Sequence, residues 1–485
     1  MLPPVNAGAG RGHGAQGVEA NAAGPSVIAE VLRLTGPAVL TSLLQTVVFL
    51  VDRIMLGRHS EVSLASMQIS GSVCWSVFSV FFAALVGTVA LIARRVGAGE
   101  LEQARVVART AVRLAAGIGA AVGVVGWIAA PLISAALGPP AGSLDAAQIE
   151  GAALAYMRWA FPGFPFVFIG AAGAMILNGS GDTRTPFRVG LAANLVNLIG
   201  DFVFIFGVEL GPLHIPELGA AGAALATGIS YVVQAGLILV ILQRPSCPVR
   251  VAGLLSLRSD PEETAARRRL IRLSAPAVVE RLIIHAGYLG FAALVSSLGA
   301  VAMAANQALL TLESICFLGA DGFGVAAATV VGQRLGREDP RGSTQGGAVA
   351  AVACALALTL AGLGIWATAP WTLPVFVAPG ESAAGAELLI STAMSAMPVL
   401  VLAQPAMGST AVLGHSLRGA GDTRSPVIAA LVGGVAVRVL GAWTLGVVLG
   451  MGLRGIWLAT FCDWFVRMLI LARIFARGRW RSLEL

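Results

Sequence analysis

The sequence predicts an all-α integral membrane protein whose twelve transmembrane helices form two parallel six-helix repeats. The first observation is composition, because 57% of the 485 residues are hydrophobic and only 12% are charged. Soluble domains carry about 25% charged residues. The second is that apolar runs long enough to cross a bilayer recur along the whole chain, with a mean hydropathy of +0.83. The third is an internal repeat that divides the chain into halves.

The apolar runs set the twelve helices in order. Each run is about 20 residues or longer, which is the length that a helix needs to span the hydrocarbon core. The predicted spans are 34–56, 68–93, 113–138, 152–178, 187–208, 217–242, 273–297, 301–331, 345–370, 384–415, 427–450 and 454–476.

The loops between these spans alternate in charge. Arginine is concentrated in the segments 94–112, 243–272 and 332–344 and in the C-terminal tail, whereas the intervening loops are acidic or neutral. Basic loops face the cytoplasm. We therefore expect a multi-pass protein of the cytoplasmic (inner) membrane with both termini in the cytoplasm. The net charge of +7 then reflects topology and not a nucleic-acid partner.

The spans divide the chain into five segments. Residues 1–27 are rich in Gly and Ala without an apolar core, which predicts a disordered cytoplasmic tail and not a signal peptide. An N-terminal lobe at 28–242 and a C-terminal lobe at 273–476 are joined by a cytoplasmic linker at 243–272, and 477–485 form a second tail. The five cysteines are scattered. Their spacing suggests neither a zinc site nor disulfides, so no cofactor is expected.

The duplication is visible in matched segments. "LTGPAVL" at 34–40 matches "LSAPAVV" at 273–279, an offset of 239, and "LNGSGDTRTP" at 177–186 matches "LRGAGDTRSP" at 417–426, an offset of 240. Towards the end of each half the offset falls to 233, because "GAAGAALAT" at 219–227 matches "GLRGIWLAT" at 452–460. Six spans in each half give both halves the same orientation, as in parallel repeats about an axis along the membrane normal.

These motifs give the chain a specific resemblance. The paired G-x-G-D-T-R-[ST]-P loops, with "VDRIMLG" at 51–57, "GAGELEQA" at 97–104 and "GLRGIWLA" at 452–459, resemble the multidrug and toxic compound extrusion family over about residues 28–476. The resemblance implies a V-shaped, two-lobe secondary antiporter. It would export amphipathic, often cationic, organic compounds in exchange for Na⁺ or H⁺ by alternating access. We expect a monomer in the lipid bilayer.

Polar side chains in the N-terminal lobe suggest where the coupling ion binds. Asp52 lies high in the first helix, Asn197 and Asp201 share one face of the fifth at i and i+4, and Thr227 lies near mid-depth in the sixth. Their oxygens suit a hard cation or a proton held between carboxylates. "NLIGD…GAALAT" resembles the cation site of the family, although Phe202 stands where the family often has proline. No metal other than Na⁺ is expected.

The C-terminal lobe lacks the same acids. Val437 and Gly441 stand where Asn197 and Asp201 stand in the first half. Polar residues at other places in this lobe remain as candidate substrate or gate groups: Glu280, Glu313, Asp321 and Gln404. Glu280 beside Arg281 is interpreted either as an inner gate or as an interfacial charge cluster. Glu313 and Asp321 either attract a cationic substrate or form structural pairs with Arg438 or Arg158.

The two GDTR loops are interpreted as tight helix connectors at the cytoplasmic surface, with a possible role as hinges. Glycines would end one helix and an aspartate would cap backbone groups, while Thr185–Pro186 and Ser425–Pro426 would begin the next helix. The motif residues are Gly181, Asp182, Thr183, Pro186, Gly421, Asp422, Thr423 and Pro426.

Two other functions compete with antiport. The first is a flippase for lipid-linked saccharides of the same superfamily, which would be expected to have further spans and several cavity arginines. The second is a membrane-embedded enzyme, which the absence of a metal cluster or a nucleophile–base pairing in the sequence disfavours. We therefore do not expect an enzyme.

Overall fold

The computed structural model describes residues 26–139, 145–210, 213–254, 261–377 and 382–483. Within these residues, twelve helices are long and apolar enough to cross a membrane, which confirms the predicted number of spans. Their bounds are α1 Val27–His59, α2 Glu61–Gly97, α3 Leu101–Leu137, α4 Ala146–Gly179, α5 Arg184–Phe206, α6 Ala220–Gln243, α7 Pro261–Ser296, α8 Ala300–Gly336, α9 Pro340–Phe376, α10 Ala383–Gly419, α11 Arg424–Val448 and α12 Gly452–Arg477.

Two predicted segment boundaries differ from the structure. Ser26 caps the N-terminus of α1, so the end of the predicted tail at 1–27 belongs to the first helix, while residues 1–25 lie outside the described chain. Helix α7 begins at Pro261, so the basic stretch that was assigned to the linker 243–272 is helical. Glutamates in the first turn favour this early start. Glu263 there also pairs with Arg109 and Arg113 of α3.

Four spans depart from a regular α-helix, and α9 does so only at its end, which is a 3₁₀ segment over Leu373–Phe376. A short 3₁₀ segment interrupts α2 at Ala83–Leu85, and another interrupts α4 at Phe161–Gly163 beside Pro162. Most of α11 is a π-helix, over Ala430–Leu440 and Ala442–Val448. Such π-helical turns are rare and often mark functional sites. A small antiparallel hairpin, β1 Val208–Leu210 and β2 Leu213–Ile215, joins α5 to α6.

The two lobes meet where α2 and α8 cross at the end of the molecule that carries the arginine-rich loops. A Cβ atom at Gly97 would lie 2.1 Å from the backbone oxygen of Gln333, and one at Gly336 would lie 2.2 Å from that of Arg94. The two contacts are related by the repeat, because Gly336 follows Gly97, and Gln333 follows Arg94, by 239 residues. Glycine is therefore required on both sides of this crossing, which we call the seam.

Polar contacts between the lobes reinforce the seam. Gln333 donates its side-chain amide to the carbonyl of Gly179 at 2.9 Å, and the backbone N–H of Gly87 donates to Ser274 Oγ at 3.1 Å. The buried Glu30 carboxylate accepts from Arg334, with a shortest distance of 2.6 Å. Arg334 also pairs with Asp339, whose pKa is held below its usual range by a hydrogen bond from the backbone N–H of Gly342.

The GDTR loops are tight connectors of nearly identical geometry. Helices α4 and α10 end at Gly179 and Gly419, and the following glycines, Gly181 and Gly421, have φ values of +93° and +95°. The aspartate caps the next helix, because Asp182 Oδ1 accepts from the backbone N–H of Thr185 at 3.0 Å, as Asp422 Oδ1 does from that of Ser425.

The helix starts after these loops were predicted two residues too late. Helices α5 and α11 begin at Arg184 and Arg424, with Thr183 and Thr423 in the preceding position. Pro186 and Pro426 therefore lie in the first turn but not at its first residue. The aspartate side chain supplies the cap that was assigned to Thr185 and Ser425. Thr183 instead donates to the carbonyl of Leu34 at 3.0 Å and fixes the first loop to α1.

Candidate functional site

The structure brings together the two acids predicted for the N-terminal lobe. Asp201 of α5 is fully buried, Asp52 of α1 is half-buried, and their carboxyl groups are close enough to interact with each other. Asn197 donates its side-chain amide to Asp201 Oδ2 at 2.9 Å. Asp201 Oδ1 is buried and has no hydrogen-bond partner in the described part of the chain. Together with the carboxyl group of Asp52, this oxygen forms a candidate position for a proton or a cation.

Close packing of α5 against α6 sets the positions of Asp201 and Thr227. Gly200 of α5 lies against Ala226 of α6, because a Cβ atom at Gly200 would be 2.9 Å from that of Ala226. Asp201 and Thr227, the next residues along each helix, are thereby carried on neighbouring helices. Thr227 is half-buried, and the described structure records no hydrogen bond from its hydroxyl to either carboxylate. The role of Thr227 as a ligand therefore stays a prediction.

Two tyrosines complete the surroundings of the acid pair. Tyr156 of α4 interacts electrostatically with both Asp52 and Asp201, and Tyr231 of α6 interacts with Asp52. Cys74 of α2 also interacts electrostatically with both tyrosines. The described residues around the acids supply no arginine or histidine as an ion-pair partner. This acid site consists of carboxyl, amide and phenol groups and carries no compensating cation.

The polar candidates of the C-terminal lobe do not converge on one site. Glu280 accepts from Arg418 Nη2 at 2.6 and 2.7 Å, which joins α7 to the end of α10. Asp321 Oδ1 lies 3.4 Å from His415 Nε2. Gln404 is fully buried between α9 and α10, where it donates to the carbonyl of Leu400 at 3.0 Å. These contacts support structural roles, and participation of the three residues in transport stays a prediction.

Glu313 lies beside a cluster of buried charges that spans α11 and α12. Asp463 is fully buried and accepts from Arg467 at 2.5 and 3.0 Å. Its Oδ2 also lies 2.7 Å from Nε of Arg438. Glu313 interacts electrostatically with Arg438, as one of its predicted alternatives proposed, but its Oε1 has no hydrogen-bond partner among the described residues.

Glycines on the π-helical span make room for this cluster. A Cβ atom at Gly433 would lie 2.3 Å from Asp463 Oδ1, and one at Gly434 would lie 2.1 Å from Arg467 Nη2. The Arg438 guanidinium lies over the rings of Tyr288, Phe291 and Trp464, at 5.5, 5.8 and 5.3 Å from their centres. The side chains of four helices therefore converge on Arg438, and we call Arg438, Asp463, Arg467 and Glu313 the arginine cluster.

A cavity of about 710 Å³ lies between the lobes. One wall is the segment of α2 from Ser76 to Phe81, and the other is formed by α7 and α8. It lies on the side of the seam away from the arginine-rich loops. Its lining is mostly apolar, with a few polar groups, as in binding sites for organic molecules. The polar groups are Ser76, His285, Tyr288, Asn306 and Gln307.

Sequence reasoning missed several of these residues. Asp463 and Arg467 are ionisable groups within an apolar run, which is the signal that identified Asp52, and their spacing at i and i+4 predicts a pair. Tyr156 and Tyr231 gave a weaker signal. The chain has only three tyrosines, and all three lie beside buried charges, the third being Tyr288 at Arg438.

Two six-helix repeats around a shared cavity define a membrane transporter with a duplicated fold. The MatE family model matches the chain once in each half, over residues 37–203 and 276–444. The chain belongs to this family, the multidrug and toxic compound extrusion transporters, as the sequence motifs indicated.

Known proteins of this family align along nearly the full chain. A probable multidrug resistance protein NorM of Thermotoga maritima is 27% identical, with 94% of each chain covered. A probable NorM of Bradyrhizobium diazoefficiens is 29% identical, with 90% of each covered. A crystal structure of MATE in the straight conformation superposes with a TM-score of 0.79, at 21% identity, covering 94% of this chain and 96% of that one. The fold is thus shared with solved transporters of the family.

Proposed function

We propose that this protein is a secondary antiporter of the cytoplasmic membrane, and not an enzyme, with both termini in the cytoplasm. It exports amphipathic organic compounds through the cavity between its lobes, in exchange for H⁺ or Na⁺ bound in the N-terminal lobe. It acts as a monomer. The relatives named for multidrug resistance support export as the direction of transport.

The acid pair carries the proposal. Two carboxyl groups share a site of low polarity, and the described residues around them supply no positive side chain. Such a pair cannot hold two negative charges at low cost, because like charges in a buried site repel strongly. A proton or a monovalent cation relieves that repulsion. Binding of the ion therefore has a large free energy, which can bias one conformation over another.

The geometry favours the proton as the coupling ion. Asp52 and Asp201 interact electrostatically, and one proton held between two carboxyl groups relieves their repulsion without further ligands. Na⁺ would need several oxygen ligands around it. Thr227, Asn197 and the two acids would supply them after a rearrangement of side chains, so Na⁺ is the second candidate.

The seam supports alternating access. Cytoplasmic ends of α2 and α8 pack through Gly97 and Gly336, while the cavity lies on the opposite side of this contact. With the arginine-rich loops in the cytoplasm, this arrangement is closed towards the cytoplasm, and the cavity belongs to the outward-facing side. Opening towards the cytoplasm requires the Gln333–Gly179 and Arg334–Glu30 contacts to separate.

The positive charge expected for the substrate has the least structural support. Cationic compounds are expected, but no carboxylate is among the described residues that line the cavity. A flippase for lipid-linked saccharides has less support still. A flippase of this kind is expected to have several cavity arginines, and no arginine is among the described residues that line the cavity.

Vesicles containing the purified protein test the proposal. Ethidium flux is measured with a pH gradient alone, a Na⁺ gradient alone, both and neither, and lipid scrambling is followed in parallel. We expect flux with the pH gradient. Flux with neither gradient, or scrambling without dye flux, would contradict antiport. Flux with Na⁺ alone would replace the proton by Na⁺ as the coupling ion.

Variants locate the coupling site in the same assay. Asp52→Asn and Asp201→Asn should each reduce gradient-driven flux to that of protein-free vesicles. In each variant the remaining aspartate and the new asparagine can no longer bind and release the ion as a pair of acids. Glu61→Gln is the matched control, since Glu61 is an exposed acid in the same lobe. Wild-type flux in both aspartate variants would refute the assignment.

A further inference from the structure

The wall that the C-terminal lobe contributes to the cavity has no acidic group. Its polar groups are neutral amides, a phenol and an imidazole, from Asn306, Gln307, Tyr288 and His285. A cationic substrate would therefore have no countercharge on this wall. A positive charge lies behind the wall instead, on Arg438.

Arg438 lies directly behind two residues of this wall. Its guanidinium carbon is 5.5 Å from the ring centre of Tyr288 and 5.8 Å from that of Phe291, and both rings line the cavity. The faces of aromatic rings attract cations because they carry partial negative charge. These two rings already contact one cation, the Arg438 guanidinium. They are poor partners for a second cation that approaches from the cavity.

The arginine cluster leaves Arg438 with unused hydrogen-bonding capacity. Arg467 contacts both oxygens of Asp463, whereas Arg438 contacts only Oδ2 through its Nε. Its other contacts within the described chain are with the faces of aromatic rings, Tyr288 among them. Two arginines thus share one aspartate. A second acid is needed to balance the charge, and Glu313 is the one nearby.

Glu313 balances this charge without forming an ion pair in the described structure. Its Oε1 is buried without a hydrogen-bond partner. It lies on the face of α8 that carries Asn306 and Leu310, both of which line the cavity, at i+7 and i+3 from them. A ligand carboxylate that entered from the cavity would compete with Glu313 for Arg438. Protonation of Glu313 would remove this competition, and the ligand carboxylate could then pair with Arg438.

The repeat adds an independent argument that this is a ligand site. Glu313 follows Cys74 by 239 residues, and Trp464 follows Tyr231 by 233, the two offsets that relate the halves. In the N-terminal lobe, Tyr231 interacts electrostatically with Asp52 of the acid pair and with Cys74. The arginine cluster therefore occupies the place in its lobe that the ion site occupies in the other.

We propose that the C-terminal lobe holds a subsite for the carboxylate of organic acids and zwitterions, with Arg438 as the countercharge and Glu313 as the internal competitor. The proposal rests on the proposed function only in taking the cavity as the substrate site. Compounds with a free carboxylate are then favoured over their esters.

A matched pair of dyes tests the proposal. A rhodamine with a free benzoate and its methyl ester share a ring system and differ by one methyl group and one charge. Their affinities are measured by fluorescence anisotropy with the full chain in nanodiscs, and empty nanodiscs give the lipid background. We expect the acid to bind about tenfold more tightly, as for a charged hydrogen bond. Equal binding, or tighter binding of the ester, would overturn the subsite.

Two variants should change the ratio of the two dyes' affinities in opposite directions. Glu313→Gln removes the competing charge without changing shape, so it should tighten binding of the acid several-fold and leave the ester unchanged. Arg438→Gln should abolish the difference between the dyes. If Arg438→Gln fails to fold, Glu313→Gln still decides, because unchanged binding of the acid would refute the competition.

Controls separate this proposal from the antiport mechanism. Glu387→Gln, an exposed acid of the same lobe, should leave both affinities unchanged. Binding is measured without any gradient, so a failure of proton coupling in vesicles would leave the ratio of affinities intact. Conversely, ester-selective binding alongside pH-driven flux would reject the subsite and retain the antiporter.

Discussion

The two lobes share one scaffold but differ in the charged groups that they bury. In the N-terminal lobe, Asp52 and Asp201 face each other without a nearby cation. In the C-terminal lobe, Phe291 stands 239 residues after Asp52 and Gly441 stands 240 after Asp201. Arg438 is the central charge there. The two halves thus share their helices and loops, while the buried polar residues of the two lobes differ.

This difference separates the proposed ion site from a site where an aspartate is already paired with arginines. Two acids without a counterion gain free energy when a cation arrives. Asp463 already has two arginine partners, and taking it away leaves their charges buried and unpaired. The comparison therefore predicts opposite responses to the same chemical change.

Replacing one aspartate by asparagine should distinguish the lobes most strongly. Asp463→Asn should lower the free energy of unfolding by about 3–5 kcal/mol, because it strands two buried arginines. Asp201→Asn should be neutral or stabilising, since it removes one of two repelling carboxyl groups. Thermal unfolding in detergent gives both values. A large loss of stability in Asp201→Asn would mean that the acid pair is structural.

Closing the space at the seam should have an intermediate effect that is equal from both lobes. Gly97→Ala and Gly336→Ala each place a methyl group against a backbone oxygen of the other lobe, which costs about 1–3 kcal/mol in the closed arrangement. Each should therefore increase the population that is open towards the cytoplasm.

Distances between spin labels measure that population. Labels at the exposed positions Glu102→Cys and Arg341→Cys, in a chain whose native cysteines are replaced, report the separation of the cytoplasmic ends. Gly117→Ala is the control, because its Cβ would meet no atom within 4 Å. A response to only one seam glycine would show that the crossing is not reciprocal.

The smallest expected effect concerns the loops, where the lobes are alike. Asp182→Ala and Asp422→Ala each remove the side chain that caps the following helix, at about 0.5–2 kcal/mol. The two values should agree closely, since the loop geometry is nearly identical. A loss of transport in either variant that exceeds its loss of stability would assign the loop a direct role in switching.

Topology was predictable from the sequence because the bilayer imposes one dominant rule on the chain. Apolar length fixes the spans, and the "LNGSGDTRTP" and "LRGAGDTRSP" segments fix the duplication. The start of α7 was wrong by twelve residues, since Pro261 and the acids that follow it extend the helix beyond the apolar run. Apolar length alone cannot show where a helix continues beyond the hydrocarbon core.

The candidate site was predictable in part. Asp52, Asn197 and Asp201 were identified because ionisable groups are rare in apolar runs and because i, i+4 spacing places two of them on one face. The partners Tyr156 and Tyr231 were not, since a tyrosine in a span has no unique interpretation. The arginine cluster depends on which helices adjoin, and on the space at Gly433 and Gly434. These features come from tertiary packing, and the periodicity of the sequence does not show them.

Proton release on substrate binding tests the central claim most directly. Purified protein in weakly buffered detergent, with a pH-indicator dye, is mixed with a transported compound whose own protonation does not change. The account predicts release of about one proton per compound bound in the wild type, because the acid pair must give up its ion during exchange. Asp52→Asn and Asp201→Asn should bind without release. Equal release from both variants would contradict coupling at this pair.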